Sequence, residues 1–437
     1  MKFLRASRLE IFVAVLFLLN GVLLFPGTQW LRFAIRAAPY VGSVGAFLLV
    51  KRPFAAPAAP GAFAMVVVLA LLLANMLHPQ TQPGAGIAQI VLQLAIVCPT
   101  FWAARFVEDD RHLMRLLAVF FICNALGSVV GILQIYDPDR FLPAHFSAEV
   151  SSSWLESLTF VSPDGRTLVR PPGLSDLPGG AAMSGSLAAI MGLAFSARKG
   201  ARFWVRFVCF VAALAGISVL YLTQVRSLTF TTLAAMVFMA LFSVRQHHTW
   251  NHAWLAGAIA VLVLGAFTWA VSVGGEKIRD RFLNISDRGV VASYDASRGW
   301  FWRYTFGDAL DQYPLGAGLG RWGAMSTYFA ADRPDSPPLW AEIQLTGWLY
   351  DGGVPMWIAY ASGLALSMLF IFRMALSNLY GQVLPFAAVV IFCVNANVIG
   401  ASFTGPSFNT TMGLEYWLLS AVLFGAARRH QVHPVAR

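Results

Sequence analysis

The side chains best equipped for chemistry are arginines, tryptophans and one carboxylate, gathered in a 67-residue polar stretch, 274–340, and at its exit. That stretch holds eight basic residues, eight acidic ones and four tryptophans. Within it, Ser297-Arg298-Gly299-Trp300-Phe301-Trp302-Arg303 leads into Tyr304–Leu310, which reads as an amphipathic helix on a membrane surface. Arg298 and Trp302 are four residues apart and share a helix face. A guanidinium offers a planar fork of donors that matches phosphate oxygens. The faces of Trp300 and Trp302 suit sugar rings or the lipid interface. Glu342, two residues past the stretch, is a carboxylate at the mouth of an apolar run. It is either an acid–base group or an interface charge paired with an arginine.

Three further segments carry candidates. Thr223-Gln224-Val225-Arg226 puts an arginine between two apolar runs with almost no loop. An arginine there either snorkels from a helix end or contacts an anion. Arg170-Pro171-Pro172-Gly173 places another arginine just ahead of an apolar run, followed by Asp176-Leu177-Pro178-Gly179. Pro314-Leu315-Gly316-Ala317-Gly318-Leu319-Gly320 is a tight turn or an anion-binding nest. It has no preceding strand and no βαβ context, so it is not a dinucleotide loop. No histidine falls within 274–340, so neither a metal-ligand spacing nor a Ser-His-Asp set is available there. The four cysteines lie scattered in apolar runs and read as small buried residues. Asn284-Ile285-Ser286 and Asn409-Thr410-Thr411 match a glycosylation sequon, a pattern too short to carry weight.

These groups need a scaffold, and composition says which kind. The 437 residues are 58% hydrophobic and 12% charged, with mean hydropathy +0.65. A soluble domain is about 25% charged, so lipid must be the solvent for most of this chain. Apolar runs mark twelve spans at roughly 10–26, 34–50, 61–77, 86–104, 113–135, 179–197, 205–222, 227–244, 253–273, 342–372, 382–400 and 412–427. The first follows Lys2, Arg5 and Arg8 without a clean cleavage site, so it reads as a retained helix. The run 342–372 is too long for one upright helix; it is tilted, broken at Gly352-Gly353 and Pro355, or begins outside the membrane.

Charge sets the orientation. With the N-terminus in the cytoplasm, inner segments hold 17 basic and four acidic residues, outer segments 14 and 17. The net +10 thus reflects topology and not nucleic-acid binding. The expectation is an all-α polytopic protein, a single integral membrane domain over 1–437 with both termini cytoplasmic. Two long segments face outward, 136–178 and 274–340, the second between helices nine and ten.

In this order and topology the motifs resemble the O-antigen ligase and polymerase superfamily of membrane glycosyltransferases. The resemblance rests on Arg170-Pro171-Pro172-Gly173, Thr223-Gln224-Val225-Arg226, Arg298 ahead of a Trp-bearing helix, Pro314–Gly318 and the Gly353-Val354-Pro355 restart, and covers about residues 90–425. Ligases of the family usually carry a His-Asn pair about eleven residues before that restart. Here the position is Glu342, which tilts the reading toward a polymerase of O-antigen or exopolysaccharide. The resemblance implies a donor glycan on a polyprenyl diphosphate, undecaprenyl above all, and a second lipid-linked repeat as acceptor. It implies a periplasm-facing site in the bacterial inner membrane. Arg226 and Arg298 would hold the diphosphate with Arg170 and Arg303 in support, and Glu342 would orient or deprotonate the acceptor. No metal and no organic cofactor is implied. A flippase and a chain-length regulator would be natural partners. The alternatives are a ligase that transfers finished glycan to a lipid A core or a protein, and a polytopic transporter or flippase. The last predicts repeats, broken helices and mid-membrane charges, whereas the charges here concentrate outside.

Overall fold

The computed structural model describes residues 7–432 apart from 26, 51–57, 143–158, 162–166, 176–178, 247, 277, 281–288, 332 and 378–380. The Asp176–Pro178 and Asn284–Ser286 segments, and much of 136–178, lie outside the described residues. The chain is helical almost throughout. One short ladder pairs Thr159–Val161 antiparallel to Thr167–Val169. Among the described residues, seven helices are long and apolar enough to cross a membrane: Pro83–Arg105, Asp110–Tyr136, Phe203–Thr223, Arg226–Arg245, His252–Gly274, Gln344–Ala375 and Val383–Ser402. Ala62–Asn75 and Ala181–Ala197 are apolar but shorter.

The chain packs as two compact units built from interleaved segments. The first comprises 1–39, 110–288 and 375–397. At its centre is Ala181–Ala197, whose sequence AAMSGSLAAIMGLAFSA is small-residue rich and almost wholly buried. Small residues let helix backbones approach closely where lipid supplies no hydrophobic drive. A Cβ on Gly185 would stand 2.6 Å from the Gly216 carbonyl oxygen, and one on Gly216 2.5 Å from that of Gly185. Polar pairs add direction: the Ser186 and Thr232 hydroxyls are 2.7 Å apart, and Cys393 donates to the Ala235 carbonyl.

The second unit comprises 40–109, 289–374 and 398–437. Its governing feature is a break in the Gln344–Ala375 helix, where Gly352 and Gly353 leave helical geometry and Gly353 takes φ 66°. Breaking a helix frees backbone groups that must find partners. The Pro314–Gly320 turn supplies them. Ala317 N–H donates to the Tyr350 carbonyl at 2.8 Å, and the Pro314 carbonyl accepts from Val354 N–H at 2.9 Å. Pro355 follows in the first turn of the restarted helix, where its missing N–H costs nothing. From Val354 to Ala375 the helix runs 22 residues, about 33 Å at ~1.5 Å per residue. That alone matches a hydrocarbon core of about 30 Å. The 22 residues after the break are thus long enough to span by themselves, and Gln344–Asp351 is a short helical segment ahead of it.

The glycines at this joint answer to space and to backbone angle together. A Cβ on Gly353 would overlap the Pro314 carbonyl oxygen. Gly323, in the same unit, has φ 68° but open space around it. Gly353→Ala should therefore cost about 3 kcal/mol or more, strain plus overlap, and Gly323→Ala about 1 kcal/mol. Thermal unfolding of the two variants in detergent checks this; equal losses would show that the docked turn is not what requires Gly353.

Candidate functional site

Arg298 hangs from a single π turn, Asp295–Gly299, set between the α segments Val290–Tyr294 and Trp300–Phe306. Such turns recur at functional sites because they re-aim a side chain. Gly299 leaves room for the Asp295 carboxylate, which a Cβ there would push aside; that carboxylate folds back over the turn and accepts from Arg303 at 2.7 Å. Arg298 forms an ion pair with Glu342, the two side chains 34% and 29% exposed. The geometry falls short of hydrogen-bond alignment, and Arg298 Nε is buried without an acceptor among the described residues. The guanidinium donates to the Ser297 carbonyl at 3.1 Å. Residues 44 positions apart in sequence thus form a cation–carboxylate pair that is only part-buried.

The two tryptophans of this segment differ. Trp302 stacks with Phe306 and Phe403, centroids 5.1 and 5.9 Å away, and its indole N–H donates to the Tyr294 hydroxyl. That hydroxyl in turn donates to the Phe403 carbonyl at 2.7 Å. Burial raises the Tyr294 pKa above its ordinary value, against the pull of the Trp302 hydrogen bond and the Arg298 charge. Trp302 is thereby a packing residue. Trp300 lies parallel to Tyr304 at 5.0 Å and is 57% exposed, so its aromatic surface remains open.

Glu342 is held on both sides. Ahead of it, the Arg321 carbonyl accepts from Leu339 N–H at 2.6 Å. The Arg321 guanidinium donates to the Pro337 and Ala317 carbonyls and to Gln80 Oε1. Behind it, Gln344 accepts from Phe408 N–H at 3.0 Å and donates to Asn409 Oδ1 at 3.2 Å. That same oxygen accepts from Gln93 at 2.7 Å, so the Asn409 sequon side chain is spent on packing. Thr346 pairs with Thr305 at 2.6 Å. At the break, buried Asp351 accepts from Trp322 at 2.8 Å and Gln89 at 2.9 Å, and the Trp322 ring fills the place of a side chain on Gly347.

The remaining arginines belong to the first unit. There the Arg170-Pro171-Pro172-Gly173 turn is pinned by Gln134, whose amide accepts from Gly173 N–H at 2.8 Å and donates to its carbonyl at 2.9 Å. Gly173 needs φ 62° and has no room for a Cβ beside the Gly127 carbonyl. The turn then leads into the Ala181–Ala197 helix: Gly179 N–H donates to the Arg170 carbonyl and Ala181 N–H to that of Pro171. A Cβ on Gly179 would stand 3.9 Å from Arg170 Cβ and 3.6 Å from Val225 Cγ2, so the two motifs come close at this glycine. Arg226 opens its helix after Gln224, a buried residue at φ 55° whose amide has no partner among the described residues. Gln134 and Gln224 carried no sequence signal beyond being polar in an apolar setting. Arg321 and Asp351 were indistinct among many charges.

No family model and no curated protein matches the chain.

The loop that supports Glu342 also carries a titratable contact. Burial, and then the Arg321 charge, lower the His78 pKa, and Gln80 N–H donates to its Nδ1 at 3.2 Å, which only the neutral ring accepts. The unfolded chain therefore takes up this proton first. The stability His78 contributes is complete above about pH 6.5 and is lost as pH falls below it toward the lowered native value. Wild type should lose more melting temperature than His78→Gln between pH 7.5 and 5.5. Equal losses would remove His78 from the pH response.

Proposed function

We propose that the protein is a membrane glycosyltransferase that polymerises polyprenyl-diphosphate-linked oligosaccharide repeats on the periplasmic face of the inner membrane. The observation that carries the reading is the Arg298–Glu342 pair. A cation shaped for phosphate oxygens and a carboxylate suited to an acceptor hydroxyl stand together at the head of an apolar helix, and the helical segment that carries the cation also carries an exposed Trp300. The basic bias of the inner segments supports twelve spans with both termini in the cytoplasm.

In this reading the acceptor hydroxyl oxygen attacks the anomeric carbon from the face opposite the lipid diphosphate. The new C–O bond forms as the bond to the phosphate oxygen breaks, and the electron pair leaves with the diphosphate. The hydroxyl proton passes to Glu342. Arg298 neutralises the leaving group, with Arg303 in support, which makes the step metal-independent as proposed. The product is inverted at the anomeric centre.

A transporter would also use a broken helix and a buried acid. The break favours the enzyme, because the 22 residues after it span by themselves and leave no mid-membrane gap in that helix. In cells, loss of a polymerase leaves single repeats on the outer face, whereas loss of a flippase strands them inside. With purified protein and lipid-linked substrate, Glu342→Gln should lower turnover by about 10²-fold or more; near-normal turnover would remove Glu342 from the reaction. Arg298→Ala should weaken donor use by at least about tenfold. Polymer formation and donor binding at wild-type levels would remove Arg298 from the diphosphate site.

A further inference from the structure

We propose that the Arg298–Glu342 pair is a latch: the donor's diphosphate displaces Glu342 from Arg298, and only then is Glu342 free to take the acceptor's proton. The inference rests on the reading of Arg298 as a diphosphate contact and adds an order of events to it.

Both arginines of this segment are already matched to carboxylates of their own chain, Arg298 to Glu342 and Arg303 to Asp295. A carboxylate oxygen on a guanidinium occupies the place a phosphate oxygen would take. These carboxylates therefore compete with the ligand. The Arg298 contact is also incomplete. It is an ion pair without hydrogen-bond alignment, and Nε finds no acceptor among the described residues. A diphosphate brings several oxygens to the same fork and can satisfy donors that one carboxylate leaves idle. With each side chain about a third exposed, the exchange needs no deeply buried charge to be stranded.

The two partners are unequally tethered. Glu342 lies on a segment fixed by Arg321 before it and Gln344 after it. The Arg298 side chain projects from a π turn and makes one hydrogen bond, to its own neighbour's carbonyl. The guanidinium is thus the member that moves, and the carboxylate stays where an acceptor would meet it. While latched, Glu342 is occupied by Arg298. Once the diphosphate takes the guanidinium, Glu342 can accept the hydroxyl proton as the glycosidic bond forms and the bond to phosphate breaks. Donor binding precedes acceptor activation.

The sign of the effect on binding is diagnostic. A residue that helps to hold the donor weakens binding when removed; a competing carboxylate strengthens it. In titrations of the full-length protein in nanodiscs with inorganic pyrophosphate, Glu342→Gln should bind roughly fivefold tighter than wild type. Asp295→Asn, at a more exposed pair, should shift less than about twofold. With Arg298→Ala in the background, Glu342→Gln should no longer tighten binding. Unchanged or weaker pyrophosphate binding by Glu342→Gln, in protein that melts like wild type, overturns the latch and leaves the diphosphate reading standing. Failure of both wild type and Glu342→Gln to bind pyrophosphate overturns that reading, and the latch with it.

Discussion

The second unit depends on the docking of the Pro314–Gly320 turn onto the broken helix at Gly352-Gly353. A helix interrupted next to lipid exposes peptide groups that neither water nor the helix itself can satisfy. Here the turn's backbone completes them, through Ala317 to Tyr350 and Val354 to Pro314. The turn can come that close only because both sides are glycine at the contact: Gly316 and Gly353 each have positive φ and no space for a Cβ. One constraint thus ties two glycine motifs that lie more than thirty residues apart in sequence.

From that joint the rest of the polar segment that leads to Glu342 follows. Ala317 receives a bond from Arg321, and Arg321 reaches on to Pro337 and Leu339, which lead directly to Glu342. On the helix side, Asp351 and Gly347 receive Trp322. Burying an arginine is tolerable only if its donors are used, and Arg321 spends them on two carbonyls and an amide. It is a strut made of charge, whereas Arg298 keeps donors in reserve. Two arginines 23 residues apart in one segment thus have opposite economies, and it is the under-used one that suits a ligand.

Much of the helical frame was legible because apolar runs and breaks are local signals. The Gly352-Gly353 interruption was among the readings that glycine, proline and run length allowed. Which charges meet was not. Arg298 and Glu342 are brought together by the fold of the outer segment, and Arg303 is taken by Asp295 through a π turn that no periodicity announces. Trp300 and Trp302 look equivalent in sequence. Tertiary packing assigns Trp302 to Phe403 and leaves Trp300 open. The Pro314–Gly320 turn was readable as a turn or a nest; its partner, the helix break, is what makes it a turn packed on backbone. In the first unit, the reason for Gly173 lies in Gln134 and Gly127, on a helix tens of residues upstream.

On the glycosyltransferase reading proposed above, the same contrast bears on how a lipid-facing enzyme would keep a reactive carboxylate idle. A glutamate left open at the membrane surface would accept hydrogen bonds from any hydroxyl, water included. Pairing it to a mobile arginine makes its availability conditional on an anion that competes for the guanidinium. A deeply buried pair would be too costly to break and a fully exposed one too weak to exclude water. The one-third exposure of Arg298 and Glu342 lies between those limits. The rigid Arg321 strut keeps the carboxylate in register while its partner leaves. On this logic the buried strut and the half-exposed latch are one device: the first fixes the geometry that the second exposes on demand.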